Sequence, residues 1–249
     1  MTTHTHTLSL SLFACRYALV ADTVNRAIRV LDLYTQEVWT ALTNVGYPTD
    51  IVSFGSRVVI TDALNHVLWE YTSATLATVA SKQPWDTSGG KWGVLTGSAG
   101  GGLEGQYAEG DAATAKFWEP LGVAYDTLRH MLYVADYRNR VIRIVDPDTG
   151  DTSLLVGDPT MPAAYLDNVN GSDAMITGPT TLLYDAEEDV LLFSDRKVYT
   201  DPADDTGAIR KLHLTGSGQV TTVVGKKTRQ QGDGTVDAPL VSTFFYSMH

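Results

Sequence analysis

Apolar and polar positions recur along this chain in a repeating block. Leu19-Val20-Ala21-Asp22-Thr23-Val24-Asn25-Arg26-Ala27-Ile28-Arg29-Val30-Leu31-Asp32 returns as Val59-Ile60-Thr61-Asp62-Ala63-Leu64-Asn65-His66-Val67-Leu68-Trp69-Glu70-Tyr71. It returns again as Tyr133-Val134-Ala135-Asp136-Tyr137-Arg138-Asn139-Arg140-Val141-Ile142-Arg143-Ile144-Val145-Asp146. A fourth copy opens at Leu192-Phe193-Ser194-Asp195, is interrupted, and resumes at Ala208-Ile209-Arg210-Lys211-Leu212. Each block reads as a hairpin: an apolar strand ending in a small residue and Asp, a short turn, then a strand of alternating character. Asn suits the turn because it tolerates left-handed backbone angles and bonds its own backbone.

Further strands flank each hairpin. Upstream, a proline opens one at Pro48, Pro120 and Pro179, a position where the missing N–H is tolerated. Downstream, strands are predicted over 37–42, 76–80, 152–157 and 220–225. Four strands per unit, repeated at roughly forty residues plus insertions, predict β-propeller blades. The expected fold is therefore all-β, one domain over 1–249, with blades at about 1–45, 46–118, 119–176 and 177–245.

A linking motif also recurs. Glu109-Gly110-Asp111-Ala112-Ala113-Thr114-Ala115-Lys116-Phe117 aligns with the stretch from Gly232 through Asp233, Gly234 and Ala238-Pro239-Leu240 to Phe244. With the Leu-Tyr-Val-Ala-Asp-x-x-Asn-Arg-x-Ile-Arg core at 132–143, the chain resembles the NHL-repeat family over nearly its whole length. That resemblance implies a propeller, usually of six blades. Four units are legible here, and Phe244-Phe245-Tyr246-Ser247 reads as the start of a fifth. Three architectures accommodate the count: a fragment, an open arc completed by a partner copy, or a closed four-bladed ring. The fragment is preferred and the arc is second.

Composition narrows the chemistry. The 249 residues are 43% hydrophobic and 19% charged, enough for a packed core and too little charge for a disordered chain. A net charge of −11 argues against phosphate backbones and anionic membranes as partners. One cysteine, Cys15, leaves no internal disulfide and no cysteine zinc cluster, and its apolar neighbours suggest a small buried residue. The N-terminus lacks the basic region of a signal peptide, and no stretch has the length of a transmembrane helix, so the chain reads as soluble with its compartment unspecified. Asn170-Gly171-Ser172 is a sequon of little weight without a secretory signal.

Candidate sites were weighed against structural roles. Asp22, Asp62, Asp136 and Asp195 could ring an axis and hold calcium. Repetition of one turn explains them better, with Asn25, Asn65 and Asn139 as its companions. No metal or other cofactor is expected. The histidines lack zinc spacing, His4 and His6 included. The glycine run from Gly97 to Gly105 carries no phosphate-loop lysine and reads as a flexible loop. Arg26, Arg138 and Arg140 lie in hairpin turns that should share one rim, while Arg29, Arg143 and Arg210 follow on strands; surface pairing with local carboxylates is the plainer account of all six. An insertion at 81–107 bears Trp85 and Trp92, which could anchor a partner or cap an apolar blade end. A second insertion at 197–207 is acidic. The resulting expectation is a non-enzymatic scaffold binding a protein or peptide on a rim. The first alternative is a metal-dependent lyase or lactonase-like hydrolase at the central channel. The second is RNA binding through the arginine rim, with a homo-oligomer possible in any case.

Overall fold

The computed structural model describes residues 8–13, 16–98, 105–161, 166–167, 173–196 and 207–225. Cys15, His4, His6, the sequon, most of the glycine run, the acidic insertion, the second linking motif and the fifth-unit start lie outside the described residues.

The described chain forms four antiparallel four-stranded sheets, each built from consecutive strands in sequence order. The first holds β1 (Leu8–Phe13), β2 (Tyr17–Asp22), β3 (Ala27–Asp32) and β4 (Val38–Thr43). The second holds β5 (Pro48–Phe54), β6 (Arg57–Asp62), β7 (Val67–Tyr71) and β8 (Trp92–Thr96). The third holds β9 (Pro120–Asp126), β10 (Met131–Asp136), β11 (Val141–Val145) and β12 (Thr152–Val156). The fourth holds β13 (Pro179–Asp185), β14 (Val190–Arg196), β15 (Gly207–His213) and β16 (Val220–Gly225). These are propeller blades, stacked face to face in chain order with β1, β5, β9 and β13 running side by side as the innermost strands. β13 does not pack beside β1 as neighbouring inner strands do, so the four blades form an open arc.

The segment 76–80, predicted as the fourth strand of the second unit, is instead a short helix, α1 (Leu76–Ala80). Thr75 caps it, its hydroxyl accepting from the Thr78 amide at 3.2 Å. The helix buries Val79 in the junction between blades 1 and 2. The true fourth strand is β8, within the stretch assigned to an insertion. Period alone could not separate five apolar-rich residues as helix or strand.

Apolar clusters fill the three blade junctions. Blades 1 and 2 share Leu19, Ile28, Val30, Val58, Ile60 and Tyr71 among others. Blades 2 and 3 enclose Phe117 between Leu68 and Val134, and blades 3 and 4 enclose Ile176 between Ile142 and Phe193. Because both faces of an inner blade are covered, alternate residues of its middle strands are buried on opposite sides, as in the fully buried run Leu132 to Asp136. The inner strands approach closely at Gly122, where an added Cβ would lie 2.4 Å from the Thr180 carbonyl oxygen of the next blade. Thr61 reaches across the preceding junction, its hydroxyl donating to the Leu121 carbonyl at 2.6 Å.

Gly122→Ala should therefore push β9 and β13 apart and lower stability by about 1–3 kcal/mol, the range for overpacking. Denaturant unfolding of the variant against the wild type measures this, and no loss would contradict the close approach.

Candidate binding rim

In blades 1 to 3 the β2–β3-type hairpin turn is organised by its aspartate, and the matching aspartate of blade 4 makes equivalent contacts to the following strand. In blade 2, Asp62 is fully buried, and Oδ1 accepts the amides of Leu64 and Asn65 at 3.0 Å and of Tyr47 at 2.8 Å. Its Oδ2 accepts the Asn65 side-chain amide at 2.7 Å and the Trp69 indole N–H at 2.8 Å. In blade 3, the buried Asp136 takes the Trp118 amide at 2.8 Å, the Asn139 side chain at 2.9 Å and Arg143 Nη1 at 3.2 Å. In blade 4, Asp195 takes the Thr177 and Gly178 amides and Arg210 Nη1 at 2.8 Å. In blade 1, Asp22 takes Asn25 and, at 3.0 Å, Arg29 Nε. One carboxylate thus joins the turn and the next strand in blades 1 to 3, and in blades 2 to 4 it also holds the segment leading into the blade.

The strand partner was the less visible part of this arrangement. It sits seven residues after the aspartate in blades 1 to 3 (Arg29, Trp69, Arg143), and the blade 4 interruption displaces it to Arg210. In every blade the pairing register shifts beside this residue, between Ile28 and Arg29, Leu68 and Trp69, Ile142 and Arg143, and Ile209 and Arg210. Such a bulge re-aims a side chain. Arg143 and Arg210 are wholly buried, so reading them as solvated strand-face charges is corrected. Arg143 also donates to the carbonyls of Ala108 and Lys116 at 2.8 and 3.2 Å and lies over the rings of Tyr107 and Phe117. Arg210 does the same for Leu166 and Met175 at 2.8 and 2.6 Å. Burial pushes the Asp136 carboxyl up, to about 6, against the pull of Asn139, the Trp118 amide and Arg143.

The last residue of each turn adopts the left-handed backbone: Arg26, His66 and Arg140, with φ of 53°, 60° and 59°. Each of these side chains clamps the segment leading into the following blade. Arg26 Nε donates to the Gly46 carbonyl at 3.0 Å, and Arg140 Nη2 donates to those of Pro159 and Met161 at 3.1 and 3.0 Å. His66 Nδ1 accepts the Glu119 amide at 3.1 Å, which requires a neutral ring, and burial lowers its pKa. Arg138 pairs with Glu119 at 2.9 Å. Arg26, Arg138 and Arg140 each already hold a partner within the fold.

What the turns leave outward is the second residue after each aspartate: Val24, Leu64 and Arg138. Val24 is 46% and Leu64 52% exposed. The two indoles of the presumed insertion are placed elsewhere. Trp85 is 5% exposed and stacks on Tyr71 at 4.6 Å, and Trp92 opens β8 and stacks on Trp69 at 5.2 Å. Both pack in the blade 1–blade 2 junction, where Trp85 offers a partner almost no surface. Among the described residues, no group of three His, Cys, Asp or Glu is placed to hold a metal, and no helix is long and apolar enough to cross a membrane.

The fold defines a class: a run of four-stranded β-propeller blades, with a repeat that resembles the NHL repeat. No known family profile matches the chain. It is 45% identical over 49 residues to NHL repeat-containing protein 2 of Homo sapiens, and 43% identical over 49 residues to that of Bos taurus. Each match covers 20% of this chain and 7% of the relative, so the chain matches a small part of those proteins' length. Among solved structures, a nidogen/laminin complex superposes with a TM-score of 0.56 at 16% identity, covering 88% of this chain and 65% of that one. An auxiliary nutrient binding protein from Bacteroides thetaiotaomicron superposes with a TM-score of 0.55 at 16% identity over 72% of this chain and 42% of that one. A gluconolactonase from Xanthomonas campestris gives 0.55 at 11% identity over 86% and 60%. At these identities the likeness shows the propeller fold.

Two outcomes test the turn chemistry. Arg143→Met should cost about 3–5 kcal/mol because it strands a buried carboxylate. Arg29→Met, at a partly exposed pair, should cost at most about 1 kcal/mol; denaturant unfolding compares them. Burial lowers the His66 pKa, so its clamp contributes fully above the ordinary histidine value of about 6.5, weakens below it, and is lost as pH falls through the lowered folded-state value. His66→Asn should remove that part of the slope of melting temperature against pH between about 7 and 5.

Proposed function

We propose that this arc is a non-catalytic scaffold that receives a protein or peptide on the rim of the β2–β3, β6–β7 and β10–β11 turns. The observation that carries the reading is the row Val24, Leu64 and Arg138, at the same turn position in three consecutive blades. The fold spends the aspartate, asparagine and left-handed residue of each turn on its own hydrogen bonds, while Val24 and Leu64 stand outward. Aliphatic side chains on a rigid turn gain by being covered, and they lose little entropy because the backbone beneath them is already held. The partner that fits presents apolar side chains, with a carboxylate able to compete for Arg138 against Glu119. Propellers of this fold occur in a laminin complex and as auxiliary nutrient binding proteins, which supports binding as a use of the scaffold.

The hydrolase alternative draws on gluconolactonases among the fold's relatives, and no described residue set carries it. The RNA alternative asks for cations that here hold Gly46, Glu119, Pro159 and Met161.

Peptides selected by display against the wild-type protein should bind the Val24→Asp, Leu64→Asp double variant at least about tenfold more weakly, a change of about 1.4 kcal/mol. Unchanged affinity, with melting temperature preserved, would remove the rim from the reading.

A further inference from the structure

The two later junctions are filled in the same way. The chain leaves a fourth strand through a left-handed glycine, Gly97 or Gly157, and returns as a short antiparallel bridge, Ala108 opposite Lys116 or Leu166 opposite Met175. It then presents an alanine, one intervening residue and a large apolar residue: Ala115-Lys116-Phe117 and Ala174-Met175-Ile176. All four apolar residues are buried. Phe117 packs with Val59, Leu68 and Leu95 of blade 2, and Ala174 and Ile176 pack with Tyr133, Ile142 and Val156 of blade 3.

Blade 4 carries the same receiving face. Counting from the opening proline, the hairpin aspartate and the strand arginine, Leu183, Leu192, Ile209 and Val224 stand where blade 3 has Ala124, Tyr133, Ile142 and Val156. The blade 3 set is buried, whereas Leu183 is 53% and Val224 43% exposed, with Leu192 and Ile209 half-buried. β16 also closes on a left-handed glycine, Gly225, with φ of 123°. Downstream of it the sequence repeats the filling motif a third time as Ala238-Pro239-Leu240. The stretch between Gly225 and Ala238 reaches about 40 Å at about 3.3 Å per residue, roughly twice the length of a blade strand.

We propose that Ala238 and Leu240 cover the apolar face of blade 4 formed by Leu183, Leu192, Ile209 and Val224, so that the occupant of this face is the chain's own 226–249 segment. The reasons are the motif shared with two filled junctions, the matched receiving face and the sufficient reach. Covering the face removes an exposed sheet surface that would otherwise invite association with other chains.

Hydrogen exchange of the full-length protein tests this. Leu240→Asp should speed exchange of protected amides in β15 and β16 by about tenfold or more. Val236→Asp, near the position of the exposed Ala113 and Thr114, should leave those amides unchanged. Equal exchange in the wild type and Leu240→Asp would overturn the proposal, as would acceleration by both variants. A dimer that keeps the face protected through Leu240→Asp would also overturn it and assign the face to a second copy.

Discussion

A carboxylate at the end of the second strand, fully buried in blades 2 to 4, is the constraint on which the other features depend. Taking an aspartate out of water costs several kcal/mol unless its lone pairs are filled. Asp62 fills them with three backbone amides, one side-chain amide and one indole. Asp136 and Asp195 each add a buried guanidinium to their neutral donors. In blades 2 and 3 the donors come from separate stretches of chain: the turn, the following strand and the segment leading into the blade. A carboxylate satisfied in this way fixes three backbone paths at once, and losing any donor leaves charge uncompensated in an apolar setting. The arginines then extend the fixed region. Arg143 and Arg210 each carry the carbonyls of a junction segment, so the same ion pair that closes a turn also seats the filling between blades.

Stiffness and display follow from this. In blades 1 to 3, the aspartate, the asparagine and the left-handed residue of the turn are spent on hydrogen bonds within the fold, and the second residue after the aspartate is left to face outward. That position holds Val24, Leu64 and Arg138. At Val24 and Leu64, variation would change what the turn presents without touching the hydrogen bonds that hold it, the division of labour expected of loops on a rigid scaffold. The left-handed residue is equally constrained in backbone but free in side chain, and Arg26, His66 and Arg140 use that freedom to clasp the next blade. Only the histidine makes that clasp sensitive to pH near neutrality, because it accepts a hydrogen bond where the arginines donate.

Much of the fold was legible in the chain. Proline-opened strands at 48, 120 and 179 and the recurring hairpins correspond to β5, β9 and β13 and to the middle strands of all four blades. The failure at α1 has a local cause: Leu76-Ala77-Thr78-Val79-Ala80 is too short for either period to declare itself, and the capping hydroxyl of Thr75 settles it. Trp85 and Trp92 read as loop residues because β8 follows the helix where no fourth strand was expected. Arg143 and Arg210 read as surface charge because sequence does not report on which side of a strand a bulge will turn a side chain.

The sequence by itself determined the class of fold, the number of legible blades and the places of the turn aspartates and asparagines. These are set by short-range patterns: strand alternation, turn chemistry and repetition. Tertiary structure alone decided that the arc is open, that the strand arginines are buried ion-pair partners, and that Trp85 belongs to a blade junction. The physical reason is that burial is a property of two faces meeting. A residue's neighbours across a blade junction lie dozens of positions away, and only their packing decides whether a cation stays in water or a carboxylate leaves it.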